Sequence, residues 1–73
     1  MDSAELLTRR RILVSHVEDL ITMERMIATA KSNDNYSAYL AGLDLESWTA
    51  EVKRVTGRLV AIQLVIEELG IEE

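Results

Sequence analysis

A chain of 73 residues with 48% hydrophobic residues and no cysteine allows one folded domain with a small core, and it excludes disulfides and thiolate metal sites. Its net charge of −5 disfavours a general nucleic-acid binder, which needs a basic surplus to neutralise phosphates. Because no apolar run reaches roughly 18 residues and the N-terminus lacks a signal-peptide pattern, we expect a cytoplasmic protein without a membrane partner.

The first predicted helix runs from about residue 3 to residue 31, with Asp2 or Ser3 as its N-cap. Its apolar residues come in pairs that repeat every seven residues, which is typical of a helix that packs along one face. These pairs are Leu6 and Leu7, Leu13 and Val14, Leu20 and Ile21, and Ile27 and Ala28.

Charged residues lie between these pairs on the same face. Arg10 lies seven residues before Val17, and Glu24 lies seven residues after it. Two copies packed antiparallel about a two-fold axis near Val17 would place Arg10 of one against Glu24 of the other, as an isologous interface requires. This predicts a homodimer in which the ion pair sets the register. The alternative is that each charge meets the last helix of its own chain or reaches water. The predicted self-association residues are Arg10, Leu13, Val17, Leu20 and Glu24.

The middle of the chain predicts a turn and a short helix. Residues 31–35 read KSNDN, and their short polar side chains compete for backbone hydrogen bonds and favour a turn. A short helix is expected over about 36–41, with Gly42 as its stop. Tyr36 and Tyr39 are expected to be ordinary core residues, and the alternative is that they cap the open end of the hairpin.

The last predicted helix runs from about residue 45 to residue 69, between Asp44 as N-cap and Gly70 as its end. Ile71 is expected to fold back on Ile66, as in a Schellman cap. Apolar residues alternate steps of three and four along this helix, which predicts the seam of an antiparallel pair. That seam consists of Leu45, Trp48, Val52, Val55, Leu59, Ile62, Ile66 and Leu69. The predicted fold class is therefore all-α: an antiparallel helical hairpin with a short intervening helix, assembling into a helical bundle.

Toward its C-terminus the last helix is apolar around most of its circumference. Beside the seam it carries Val60, Leu64 and Val65, which one neighbouring helix cannot cover. We therefore expect another protein chain to cover them. The predicted function is a non-enzymatic protein–protein interaction module, a small adaptor, chaperone or inhibitor, that acts through this face and through self-association.

Two arginine clusters leave another function open, a small-ligand or nucleic-acid binder at a subunit junction. Arg9 to Arg11 point in different directions at about 100° per residue, whereas Arg54 and Arg58 share a face with Glu51 nearby. His16 has too few neighbouring ligands for a metal site. No motif indicates a catalytic residue or a cofactor.

Three resemblances in outline widen the range of functions. The order of a long, a short and a long helix with inward charges resembles the all-helical chorismate mutases, which implies an enzyme that binds a dicarboxylate between helices. This chain is shorter than that family and does not match its cationic residues position by position. The acidic, cysteine-free hairpin with an aliphatic second helix is similar to the co-chaperones of type III secretion needle subunits, and phage-encoded inhibitors share its size. The last two imply a protein partner.

Overall fold

The computed structural model describes residues 2–33 and 36–71, and its regular elements there are helices. Helix α1 spans Ser3–Ser32, α2 spans Ala38–Ala41 and α3 spans Leu45–Leu69. The two long helices run antiparallel, because Arg10 near the start of α1 bonds to Gln63 near the end of α3. The predicted all-α hairpin with a short intervening helix is therefore confirmed.

Both ends of α1 are held by side chains. Asp2 is the N-cap, since its Oδ1 accepts a hydrogen bond from the backbone N–H of Glu5 at 2.8 Å. At the other end Lys31 Nζ donates to the backbone oxygen of Ala41 at 2.8 Å, which ties α1 to α2. Helix α1 continues to Ser32, inside the predicted turn, and residues 34 and 35 of that turn lie outside the described residues.

Helix α2 begins one residue after Ser37, later than expected. The cause is local, because Ser37 adopts an extended backbone and its Oγ accepts from the N–H of Leu40 at 3.2 Å. Gly42 ends α2 as predicted. The expectation of core tyrosines is wrong: Tyr36, in the turn before α2, is 47% exposed, and Tyr39, within the four-residue α2, is 76% exposed.

Helix α3 begins after Asp44. Its Oδ1 accepts from the N–H of Glu46 at 3.1 Å, and its Oδ2 accepts from the hydroxyl of Ser47 at 2.8 Å. The Ser47 hydrogen bond is the main cause that lowers the pKa of Asp44, and it outweighs desolvation; the backbone bonds and the charge of Lys31 act in the same direction as Ser47. The predicted cap is therefore formed, and it favours the ionised carboxylate.

The end of α3 is the predicted Schellman cap. The N–H of Gly70 donates to the oxygen of Glu67, and the N–H of Ile71 donates to the oxygen of Ile66, both at 3.1 Å. Gly70 has φ of 66°, a left-handed conformation that glycine adopts without a Cβ penalty.

The core follows the line of contact between α1 and α3. Leu13, Val17 and Leu20 of α1 form one cluster with Val55 of α3, whose exposure is 0%. This confirms that the alternating stripe of α3 faces α1. The partly buried residues packed against the cluster are Ile21, Trp48, Val52, Leu59 and Ile62.

The hairpin is long and thin, with principal extents of 50 × 17 × 14 Å. Two long helices lie side by side, and the four residues of α2 are the rest of the described regular structure. No second layer within the described residues covers the outer faces of α1 and α3. No described helix combines the length and the hydropathy that a membrane span needs.

Candidate interaction surface

The C-terminal half of α3 has exposed aliphatic side chains beside buried ones. Ile66 is 2% exposed and faces α1, while its neighbours Leu64 and Val65 are 56% and 43% exposed. Val60, one turn earlier, is 53% exposed. The predicted partner-binding residues Val60, Leu64 and Val65 therefore all lie at the surface of the single chain.

Val60 and Leu64 line a groove on one flank of the hairpin. Val14 of α1 forms its other wall, and the groove has a volume of about 310 Å³. Arg10 and Glu67 lie at its margins, so the apolar floor has a cation and an anion beside it.

Val65 lies on the opposite flank, because five residues along a helix correspond to a rotation of roughly 140°. There it lines a second groove, of about 500 Å³, together with Leu6 and Leu69. Arg9 and Arg58 are part of the lining of this groove. The sequence predicted one continuous partner face, and the structure separates it into two surfaces.

Arg10 and Glu24 are not brought together in one chain, since 14 residues of helix separate them by about 21 Å. Arg10 is partly buried, and its Nη1 donates to Oε1 of Gln63 at 3.1 Å, so it meets α3 of its own chain. That is the alternative left open by the sequence. Glu24 is partly buried, and its carboxylate bonds to no other described side chain.

The other predicted self-association residues lie in the intrachain core. Leu13, Val17 and Leu20 are 7%, 9% and 7% exposed, and α3 covers them. The seam of α3 gives this face of α1 a partner within the chain. A dimer through these side chains would require α3 to be displaced or exchanged between copies, so the predicted α1–α1 contact stays a prediction.

The arginine clusters contain ion pairs within single helices. Arg9 lies 3.3 Å from Glu5, and Nε of Arg54 donates to Oε1 of Glu51 at 2.7 Å. Both pairs are largely exposed, and such pairs contribute little to stability. His16 is exposed, and no group of three or more His, Cys, Asp or Glu among residues 2–33 and 36–71 could hold a metal ion.

Three aliphatic surface residues add to the predicted set, and Ile12 of α1 is 61% exposed. Val14 is 38% exposed. The sequence feature that could have identified it is its position as the second member of the apolar pair Leu13 and Val14, of which Leu13 faces α3. Leu69 was expected in the seam but is 62% exposed, because it lies at the end of the hairpin where α1 begins and its cover ends.

Comparison with known proteins gives no match to a family model, to a curated protein or to a solved structure. The function must therefore be inferred from the chain's own surfaces. Their main feature is aliphatic side chains that α1 leaves uncovered.

Proposed function

We propose that the protein is a non-enzymatic interaction module that binds other protein chains, including its own copies, through the C-terminal half of α3. The observation that carries the proposal is the exposure of four aliphatic side chains on this one helix end. They are Val60, Leu64, Val65 and Leu69, with exposures of 53%, 56%, 43% and 62%. Exposed apolar surface on a small protein marks an interaction site, and here it lies on both flanks of the helix end.

The outer face of α1 provides the comparison. One line of this face, opposite the buried residues, is exposed and polar, and Ile12 beside that line is an aliphatic residue that is 61% exposed. The residues of the polar line are Thr8, Arg11, Ser15, Glu18 and Thr22. The chain therefore has a solvent-adapted line of residues on one long helix and exposed aliphatic side chains at the end of the other.

The energetic gain from covering this end is substantial. Full burial of one aliphatic side chain provides about 1.5–3 kcal/mol, and these side chains leave about half of their surface in water. Covering all four would then contribute about 3–6 kcal/mol to association. Association itself costs about 4–15 kcal/mol, so polar contacts at the margins must add to this gain for a specific complex to form.

The test is retention of proteins from the native host on the immobilised chain. We expect wild-type protein to retain a partner or further copies of itself. The substitutions Leu64→Asp and Val65→Asp should abolish this retention. Ser15→Asp on the polar face of α1 is the matched control and should retain the same species. Circular dichroism of each variant verifies that the helices are intact.

Salt separates this proposal from binding through the arginine clusters. Burial of aliphatic surface survives about 1 M salt, whereas contacts between arginines and phosphates weaken steeply. If no retained species depends on Leu64 or Val65, the proposed function is wrong.

A further inference from the structure

A second row of residues at steps of four and three runs along the outer face of α3. All of its members are exposed in the single chain. Because such steps keep residues on one face of a helix, they form a continuous stripe, called here the outer row. The outer row consists of Lys53, Gly57, Val60, Leu64 and Glu67.

The outer row is complementary to itself when its direction is reversed about Val60. Lys53 lies seven residues before Val60, and Glu67 lies seven residues after it. Gly57 and Leu64 lie three residues before and four residues after it, so the smallest residue faces a large one. An isologous interface requires this kind of pairing, in which each contact occurs twice.

We infer that the outer row binds the outer row of a second copy of this chain, with the two α3 helices antiparallel about a two-fold axis near Val60. This inference rests on the proposed function and names the partner for one of its surfaces. Leu64 of each copy lies over Gly57 of the other, and Lys53 of each pairs with Glu67 of the other. The groove lined by Val65 on the opposite flank stays available to a different protein.

Gly57 is otherwise unexplained by the structure of the single chain. It lies in the interior of α3, where glycine is the least favourable residue apart from proline, and its φ is not positive. A Cβ built on Gly57 meets no atom within 4 Å. Neither the backbone nor intrachain packing requires a glycine there, whereas the close approach of a second helix does.

The charges at the two ends of the outer row select the antiparallel direction. Lys53 makes no ion pair with another described residue, and the carboxylate of Glu67 accepts a hydrogen bond from Gln63 at 3.3 Å but pairs with no described cation. Parallel packing would place Lys53 on Lys53 and Glu67 on Glu67, and like charges oppose that arrangement. The antiparallel arrangement turns the same residues into two ion pairs.

The accessible surface of the single chain is larger than that of a compact monomer of the same mass. The accessible surface is 5295 Å² for a mass of 8.2 kDa. A compact monomer of this mass exposes roughly 4500 Å². The excess of roughly 800 Å² comes from the elongated shape of the hairpin, and it is similar in size to the area that one partner contributes to a standard specific interface.

Reversing the charges of Lys53 and Glu67 tests the pairing, and sedimentation equilibrium measures the dimer. Lys53→Glu and Glu67→Lys each place like charges together twice, so each variant alone should dimerise at least about tenfold more weakly than wild type. When the two variants are mixed, every outer-row contact is again between opposite charges, and a mixed dimer should form with an affinity within about threefold of wild type. Arg11→Glu on α1 is the control and should leave the dimer unchanged.

Gly57→Gln separates packing between copies from stability within one copy. Glutamine is a better helix former, so the isolated chain should unfold at a higher temperature. Its side chain fills the space that Leu64 of the other copy needs, so the dimer should dissociate at least about tenfold more readily. If Gly57 has no role between copies, the substitution raises the unfolding temperature and leaves association unchanged, which would contradict the inference.

Because the chain has no cysteine, a single introduced thiol reports proximity. Val60→Cys near the two-fold axis should oxidise to a covalent dimer, whereas Ser15→Cys should not at the same concentration. A mass of 8.2 kDa at every concentration overturns the inference. A dimer whose affinity is the same in wild type and in both charge variants also overturns it. Retention of host proteins that depends on Val65 would still support the proposed function in either case.

Discussion

Replacing Leu64 with alanine measures how much of the association free energy the outer row provides. Leu64 is 56% exposed in the single chain, so about half of the 1.5–3 kcal/mol from burying a leucine is still to be gained. A symmetric dimer contains two such side chains. Leu64→Ala should therefore weaken the dimer by about 1.5–3 kcal/mol, which raises the dissociation constant roughly 10- to 150-fold.

The single chain should be almost unaffected by the same substitution. Surface substitutions away from caps and buried networks change the free energy of unfolding by less than about 0.5 kcal/mol. Urea unfolding below the dissociation constant measures this quantity, and sedimentation equilibrium over a dilution series measures the dimer. Ser15→Ala on the polar face of α1 is the matched control and should change neither.

Two results would refute the reasoning about Leu64. A dissociation constant that changes by less than about threefold would mean that no second copy covers this side chain. A loss of more than about 2 kcal/mol in the isolated chain would mean that the chain already buries Leu64 itself.

Three further substitutions test the fold. Ile27→Ala removes a side chain with 0% exposure and should lower the free energy of unfolding by about 2–5 kcal/mol, measured by urea titration. A loss under about 1 kcal/mol would contradict the described core. Gly70→Ala places a residue with a Cβ at φ of 66° and should destabilise the end of α3 by about 1–2 kcal/mol. Amide exchange at the end of α3 should become faster, and unchanged exchange would contradict the left-handed cap. The lowered pKa of Asp44 means that its ionised form stabilises the folded chain at neutral pH and that this contribution is lost as the pH falls below about 4. Wild type should therefore lose melting temperature relative to Asp44→Asn across that range, and parallel pH profiles would contradict the role of the cap.

The hairpin was predictable because its signals are local and periodic. Steps of three and four in α3 identify the face that meets α1, and Val55 at the centre of that stripe is fully buried. The caps at Asp44 and Gly70 were predictable for the same reason, since each depends on a few adjacent residues. The start of α2 was missed because Tyr36 fits the helical spacing of Tyr39 and Leu40, although Ser37 is the better N-cap residue and forms the cap.

The surfaces were only partly predictable. Charges on a helix face can meet their own chain or another copy, and the sequence does not show that Arg10 reaches Gln63. Hydrophobicity identified Val60 and Leu64 as exposed side chains without a partner. It did not identify the outer row, because a row that includes Lys53 and a glycine becomes visible only when the exposed face of α3 is known.

The mass of the wild-type chain in solution tests most directly whether a second copy covers the outer row. Sedimentation equilibrium across a wide range of concentrations should show a reversible dimer with twice the 8.2 kDa mass of one chain. A single species of 8.2 kDa at every concentration, with Val60 and Leu64 still open to solvent, would contradict it.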